Sequence, residues 1–246
     1  MDIPRQFLIR EGDLRILNPF SPAKLAALGR ALKLTPGTTL VDLCSGKGEM
    51  LCTWARDHGI TGIGVDLAAD WVAVARQRAA ELGVDVEFRH GDAARFTAPD
   101  RADVAACIGA TWIGDGVEGT ITILERSLRP GGMLLIGEPY WRLDPPGQET
   151  VTGCHMTSKD DLRDLPGLLA HFGELGYDVV EMMLSNADDW DRYEAAHWLN
   201  VRRWLDANPD DPMHAEMRAE LDTAPVRHVR YQRDYLGWGV FALIRR

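Results

Sequence analysis

Cysteine is scarce in this chain, and what there is lacks a pattern. Cys44, Cys52, Cys107 and Cys154 form no CxxC pair and join no histidine cluster at metal spacing. A disulfide framework and a zinc module are therefore not expected. Basic residues are also in deficit, with 27 Lys and Arg against 37 Asp and Glu and a net charge of −10. Nonspecific phosphate binding depends on clustered cations, so neither nucleic acid nor an anionic membrane surface is an expected partner. The longest basic cluster, Arg227, Arg230 and Arg233, is interrupted by Asp234 and aromatics and reads as solvated surface. No apolar run approaches the roughly 20 residues that span a bilayer. The stretch from Met1 to Leu17 has neither a continuous apolar core nor a small-residue cleavage site, so no signal peptide is expected. These deficits together predict a cytoplasmic, reduced, metal-free protein; they leave its oligomeric state open.

What is present is ordinary globular material, 46% hydrophobic and 26% charged over 246 residues, enough for one generous domain. Ser21-Pro22 predicts a capped helix start, with Leu25, Leu28 and Leu32 on its apolar side. From there strands and helices alternate. Strands are predicted at Thr39–Cys44, Thr61–Asp66, Val84–His90, Ala102–Ile108 and Met133–Glu138, with helices at Glu49–His58 and about Ala69–Leu82. Tyr177–Leu184 and Trp238–Ile244 read as a sixth and a seventh strand. Such alternation implies parallel pairing with right-handed crossovers and helices on both faces of an α/β sheet. The stretch from 186 to about 222 reads as helices rich in Trp, Tyr and Arg. The domain thus divides into an N-terminal arm and helix (1–34), a ligand-binding core (35–185), a helical lid insertion (186–222) and a return to the last strand (223–246).

Three strand ends carry the chemistry. Asp42-Leu-Cys44-Ser-Gly46-Lys-Gly48-Glu49 forms a glycine turn at the first strand-to-helix junction, where backbone can approach a ligand and helix N–H groups are free. Asp66 closes the second strand, 20 residues after Gly46, where a carboxylate can take both hydroxyls of a ribose. Gly91-Asp92-Ala93 closes the third, and Asp92 can accept a bond from an adenine amino group. A dinucleotide fingerprint would need glycine where Leu51 stands, and Asp42 adds negative charge where a pyrophosphate would lie. A cationic sulfonium with an amino-acid tail suits this turn better.

These segments, together with Gly64-Val-Asp66 and Leu128-Arg-Pro-Gly-Gly132, resemble the successive motifs of class I S-adenosylmethionine-dependent methyltransferases across roughly residues 35–140. The remainder is similar to a bacterial small-molecule group of unassigned substrate. The resemblance implies a Rossmann-like, seven-stranded, mostly parallel sheet whose last strand is antiparallel, and S-adenosyl-L-methionine as cofactor. It implies that Gly46 and Gly48 contact the methionine part, Asp66 the ribose, and Asp92 with Ala93 the adenine, with Asp42, Cys44, Leu67 and Gly109 completing the site. Cys44 stands where the family often has its first glycine, so its backbone is expected in a region a side chain tolerates.

The expected activity is methyl transfer to an O, N or S nucleophile of a small molecule, beyond the ends of strands four and five. Alternatives are a catalytically silent cofactor-binding protein and, disfavoured by Leu51, an NAD-dependent oxidoreductase. Methyl transfer needs alignment, exclusion of water and, for some acceptors, removal of one proton. Candidate catalytic residues are Glu138, Tyr140 and His197, each able to hold a proton. Trp112, Trp141, Trp190 and Tyr193 are candidate walls of the acceptor pocket; ordinary packing is the competing role for all four. Asp144-Pro-Pro-Gly147 is not a base-amino methyltransferase motif, because it lies after strand five and lacks the stacking ring.

Overall fold

Buried β-branched and aliphatic runs dictate the strands: Leu40, Val41, Asp42 and Leu43 are all buried in a five-residue first strand, as a parallel strand covered on both faces requires. The computed structural model describes residues 3–246. Along the chain run α1 (Arg5–Glu11), α2 (Pro22–Ala31), β1 (Thr39–Leu43), α3 (Glu49–His58), β2 (Thr61–Asp66), α4 (Ala69–Leu82), β3 (Val86–His90) and β4 (Ala102–Ile108). There follow α5 (Val117–Glu125), β5 (Leu128–Trp141), α6 (Gln148–Gly153), α7 (Leu165–Glu174), β6 (Tyr177–Leu184), α8 (Ala187–Ala207), α9 (His214–Arg227) and β7 (Leu236–Arg245). Ser21 caps α2 through its hydroxyl, which accepts from Lys24 N at 3.3 Å.

The seven strands are ordered β3-β2-β1-β4-β5-β7-β6. Pairs β1–β2, β2–β3, β1–β4 and β4–β5 are parallel, and β6–β7 is antiparallel. This is the Rossmann-like sheet implied by the motifs. The chain winds outward from β1 to β3 and then returns to β4 on the other side of β1. The carboxyl ends of β1 and β4 therefore flank the switch point, where open α/β sheets form a binding crevice.

The chain divides into two compact units. One holds Ser21–Glu138, Leu169–Leu184 and Trp238–Arg246, that is, most of the sheet. Its core includes Leu51, Trp54, Leu134, Leu135 and Ile136, all fully buried, and Phe172 tilted on Phe241 at 5.4 Å. The other holds the chain up to Phe20, Pro139–Leu168 and Ser185–Gly237. It is mainly helical, with Ile9, Val201, Leu205 and Met217 forming its own core. Helix α8 starts at a capping box in which Asn186 and Asp189 exchange hydrogen bonds, satisfying donors that a helix start leaves open.

Several local expectations differ from the structure. The N-terminal arm contains α1. Helix α5 fills a segment given no element from the sequence, and Thr-Ile-Thr-Ile within it has the β-branched composition of a strand. Strand β5 begins at Leu128, so Pro130-Gly131-Gly132 lies inside it at a register shift against β4. Strand β1 ends at Leu43, leaving Cys44 in the turn.

Candidate active site

The strand ends meet at one level. Leu43 pairs with Val65 on one side and Cys107 on the other, and Asp66 pairs with His90. The residues that follow these positions are Cys44–Gly48, Leu67, Gly91–Ala93 and, one further along β4, Gly109.

The turn after β1 is built on left-handed backbone. Cys44, Gly46 and Gly48 have φ of 63°, 54° and 73°. The expectation for Cys44 is corrected: it adopts the conformation a glycine would, in the small left-handed region where non-glycine residues are uncommon. Gly48 is required by packing as well, since a Cβ there would lie 2.4 Å from Phe88 Cζ and 2.8 Å from Ala75 Cβ. Leu51, buried in α3, is accommodated by Gly62 on β2, where a Cβ would meet Leu51 Cδ2 at 2.9 Å.

Asp66 stitches this turn to β2. Its Oδ2 accepts from Gly46 N at 2.8 Å and its Oδ1 from Ala68 N at 2.9 Å. Each oxygen keeps a further lone pair for a ligand hydroxyl. Burial pushes its carboxyl up, opposed by the bonds from Ala68 and Gly46. Leu67 is half-buried, and its carbonyl lies 3.0 Å from His90 Nε2. Asp92 is exposed and caps a short 3-10 turn by accepting from Ala94 N at 3.0 Å, while Ala93 is buried.

On the far side of β4, Gly109 has φ of 78° and donates to Gly137 O at 2.9 Å. Glu138 follows Gly137 on β5, and Ile108 is the partner of Gly137. Glu138 therefore lies on the strand two removed from β1, with its backbone about 10 Å from the glycine turn at the usual strand spacing. Thr111 Oγ1 donates to Glu138 Oε2 at 2.7 Å, and Thr111 is itself held by Thr120 Oγ1, which donates to its carbonyl at 2.8 Å. Burial raises the Glu138 carboxyl to about 7, against the opposing bond from Thr111. Trp112, on the same turn, is 60% exposed, which excludes the packing role for it.

A family profile described as "Methyltransferase domain" matches residues 40–132. The chain is 57% identical to the uncharacterized protein YjhP of Escherichia coli K12 over 248 residues, covering all of both chains. It is similar to a methyltransferase from Geobacter sulfurreducens solved with S-adenosyl-L-homocysteine, at 60% identity and a TM-score of 0.98, covering 100% of this chain and 99% of that one. A second such complex, from Thiobacillus denitrificans, matches at 56% identity and a TM-score of 0.98 over all of both chains. The chain belongs to the S-adenosylmethionine-dependent methyltransferases. S-adenosyl-L-methionine is its cofactor.

The glycine turn of this methyltransferase fits that cofactor. Asp42 Oδ1 and Ser45 Oγ are buried at the turn without a hydrogen-bond partner among the described residues. Burial, and then the charge of Asp66, push the Asp42 carboxyl well above its usual range. An unpaired buried carboxyl is costly, and a cationic amino-acid group placed there would remove that cost. Ser45 was not singled out from the sequence; only its burial in the folded turn distinguishes it.

The other anticipated residues belong to the helical unit, and most have partners within it. Tyr140 is buried against Gly237, where a Cβ would lie 2.2 Å from its ring, and burial pushes its phenol up. Trp141 is buried and donates from Nε1 to Lys159 O at 2.8 Å. Trp190 is buried, and its Nε1 has no partner among the described residues. Tyr193 donates to Glu11 Oε1 at 2.8 Å. His197 Nε2 lies 3.2 Å from the same oxygen, with Glu194 and Arg10 near its Nδ1. Sequence reading missed Glu11 as the hub of this cluster, because it lies 186 positions from His197 in a segment read as an arm. It also missed Thr111, which only the pairing of β4 with β5 brings to Glu138. Among the described residues no group of three His, Cys, Asp or Glu side chains is placed to hold a metal ion, and no helix is long and apolar enough to cross a membrane.

Proposed function

We propose that this methyltransferase methylates an O, N or S atom of a small molecule at the carboxyl ends of β4 and β5, with Glu138 receiving the acceptor's proton. The observation that carries the reading is the Glu138–Thr111 pair: a half-buried carboxylate with one oxygen held at 2.7 Å and a pKa near 7. Such a group accepts a proton near neutrality and releases it again. When bound, S-adenosylmethionine supplies an electrophilic methyl group on a sulfonium. Asp42 and the Cys44–Gly48 turn hold its amino-acid end, Asp66 and Leu67 its ribose, and Asp92 and Ala93 its adenine; Gly109 lies beside it. Trp112 offers an exposed ring on which a planar or cationic acceptor can rest. The acidic chain disfavours nucleic acid as acceptor, and four cysteines outside any disulfide suit the reducing cytoplasm.

The test is single-turnover methyl transfer from labelled cofactor to fractionated metabolite pools, read as S-adenosylhomocysteine release. Label should appear in a small-molecule fraction, and Glu138→Gln should bind S-adenosylhomocysteine unchanged but turn over slowly. Label found only in RNA or protein, or undiminished turnover in Glu138→Gln, would overturn the reading.

A further inference from the structure

Two cysteines meet at the cofactor turn. Cys107 on β4 is the lateral partner of Leu43, the last residue of β1, and Cys44 is the next residue. One strand spacing across and one residue along place their Cα atoms roughly 6 Å apart, inside the ~4.4–6.8 Å span that a disulfide bridges. The left-handed φ of 63° at Cys44 breaks the strand's alternation of side chains, so its thiol need not take the face opposite to that of Cys107. Cys44 is partly exposed, whereas Cys52, Cys107 and Cys154 are buried.

We propose that Cys44 and Cys107 form a redox modification site: peroxide converts them to a disulfide that weakens cofactor binding and that thiols reverse. Cys44, the thiol that a small oxidant reaches, attacks one peroxide oxygen as its thiolate. The O–O bond breaks, the departing hydroxide takes up the proton that Cys44 released and leaves as one water, and Cys44 becomes a sulfenic acid. The Cys107 sulfur then attacks the Cys44 sulfur, the S–O bond breaks, and the departing hydroxide takes the Cys107 proton to leave a second water. Two thiols are oxidised, and one peroxide is reduced to two waters. Cys107 suits the resolving role: the neighbouring Cys44 thiol and burial push its thiol well up, so it waits protonated. A disulfide bond of ~2.05 Å is far shorter than any contact between two thiols, so its formation must pull Cys44 toward β4. The same turn presents Gly46 N to Asp66 and holds Asp42 and Ser45, so the pull disturbs the cofactor's cradle.

The experiment treats the full chain with hydrogen peroxide, alkylates remaining thiols and maps them by mass spectrometry. In parallel, the melting-temperature rise given by S-adenosylhomocysteine is measured before and after. A Cys44–Cys107 peptide pair that has lost two hydrogens should appear, the ligand-induced rise should fall by at least half, and dithiothreitol should restore it. Cys44→Ala and, separately, Cys107→Ser should each keep most of their own ligand-induced rise after the same treatment; one variant suffices if the other does not fold. Four thiols still alkylated after peroxide, Cys44 oxidised without bonding to Cys107, or a disulfide that leaves the ligand-induced rise intact would each overturn the proposal.

Discussion

Thr111 Oγ1 donates to Glu138 Oε2 at 2.7 Å across the ends of β4 and β5. The bond fixes one carboxylate oxygen, and in the proposed reaction the other takes the acceptor's proton. It favours the charged carboxylate, yet burial wins and the group titrates near 7.

A raised carboxyl pKa has a stability signature. Between the ordinary value of 4.5 and about 7 the folded state binds more protons than the unfolded one, so stability falls as pH rises through that window. The cost is complete above about pH 7 and amounts to roughly 3 kcal/mol. Glu138→Gln removes the charge, so its melting temperature should exceed that of the natural chain at pH 8.5 and match it at pH 5. Turnover, once an acceptor is found, should drop by about 10²–10⁴-fold. Equal melting at both pH values would contradict the desolvated carboxylate.

Asp66→Ala tests the cofactor cradle directly. The substitution removes the acceptor of two backbone N–H groups, Gly46 and Ala68, so the turn loosens as well as losing the proposed ribose partner. Ligand at 100 times its dissociation constant stabilises a native state by about 2.7 kcal/mol. The S-adenosylhomocysteine-induced rise in melting temperature should nearly vanish in the variant, while Asp92→Ala, at an exposed cap, should lose less. An undiminished rise in Asp66→Ala would remove Asp66 from the site.

Gly48→Ala should be costly for two separable reasons. Its φ of 73° strains any side chain, and the new Cβ would sit 2.4 Å from Phe88 Cζ. Strain and overpacking together should destabilise by roughly 3 kcal/mol. Phe88→Leu relieves only the clash, so urea melts of the four proteins in the double-mutant cycle should show a favourable coupling that recovers part of the loss. Strict additivity would mean that the ring does not define the glycine.

The sheet was readable because parallel strands buried on both faces leave unbroken aliphatic runs, and because crossovers of this length allow one handedness. The glycine turn, Asp66 and Asp92 were readable because each falls at the end of such a run. Other features depend on the fold itself. Thr111 and Glu138 are 27 positions apart, Cys44 and Cys107 lie on neighbouring strands far apart in the chain, and Glu11 looks like an ordinary surface acid until α1 is placed on α8. Helix α5, where Val117, Ile121 and Leu124 are buried, was not located from the sequence, because its Thr-Ile-Thr-Ile core has β-branched composition. Cys44 was assigned a side chain's usual backbone, but the turn demands a left-handed residue there.

The buried cluster around His197 makes the last prediction, again through pH. Desolvation opposes a charged ring, and Arg10, whose Nη2 lies 3.4 Å from Nδ1, opposes it too. Glu11 on α1 and Glu194 on α8 outweigh both, and the His197 pKa is raised, while Tyr193 packs its ring edge-on at 4.3 Å. A folded-state pKa raised above the unfolded 6.5 means that protonated His197 contributes stability fully below about pH 6.5, and that this contribution is lost as pH rises through the folded value. Urea unfolding of the natural chain and of His197→Gln should therefore differ more at pH 6 than at pH 9. The residual difference at pH 9 reports packing and the neutral ring's bond to Glu11. A gap between the two proteins that does not change with pH would show that the carboxylates do not hold the proton on this ring, and that the cluster binds α1 to α8 by shape and neutral hydrogen bonds alone.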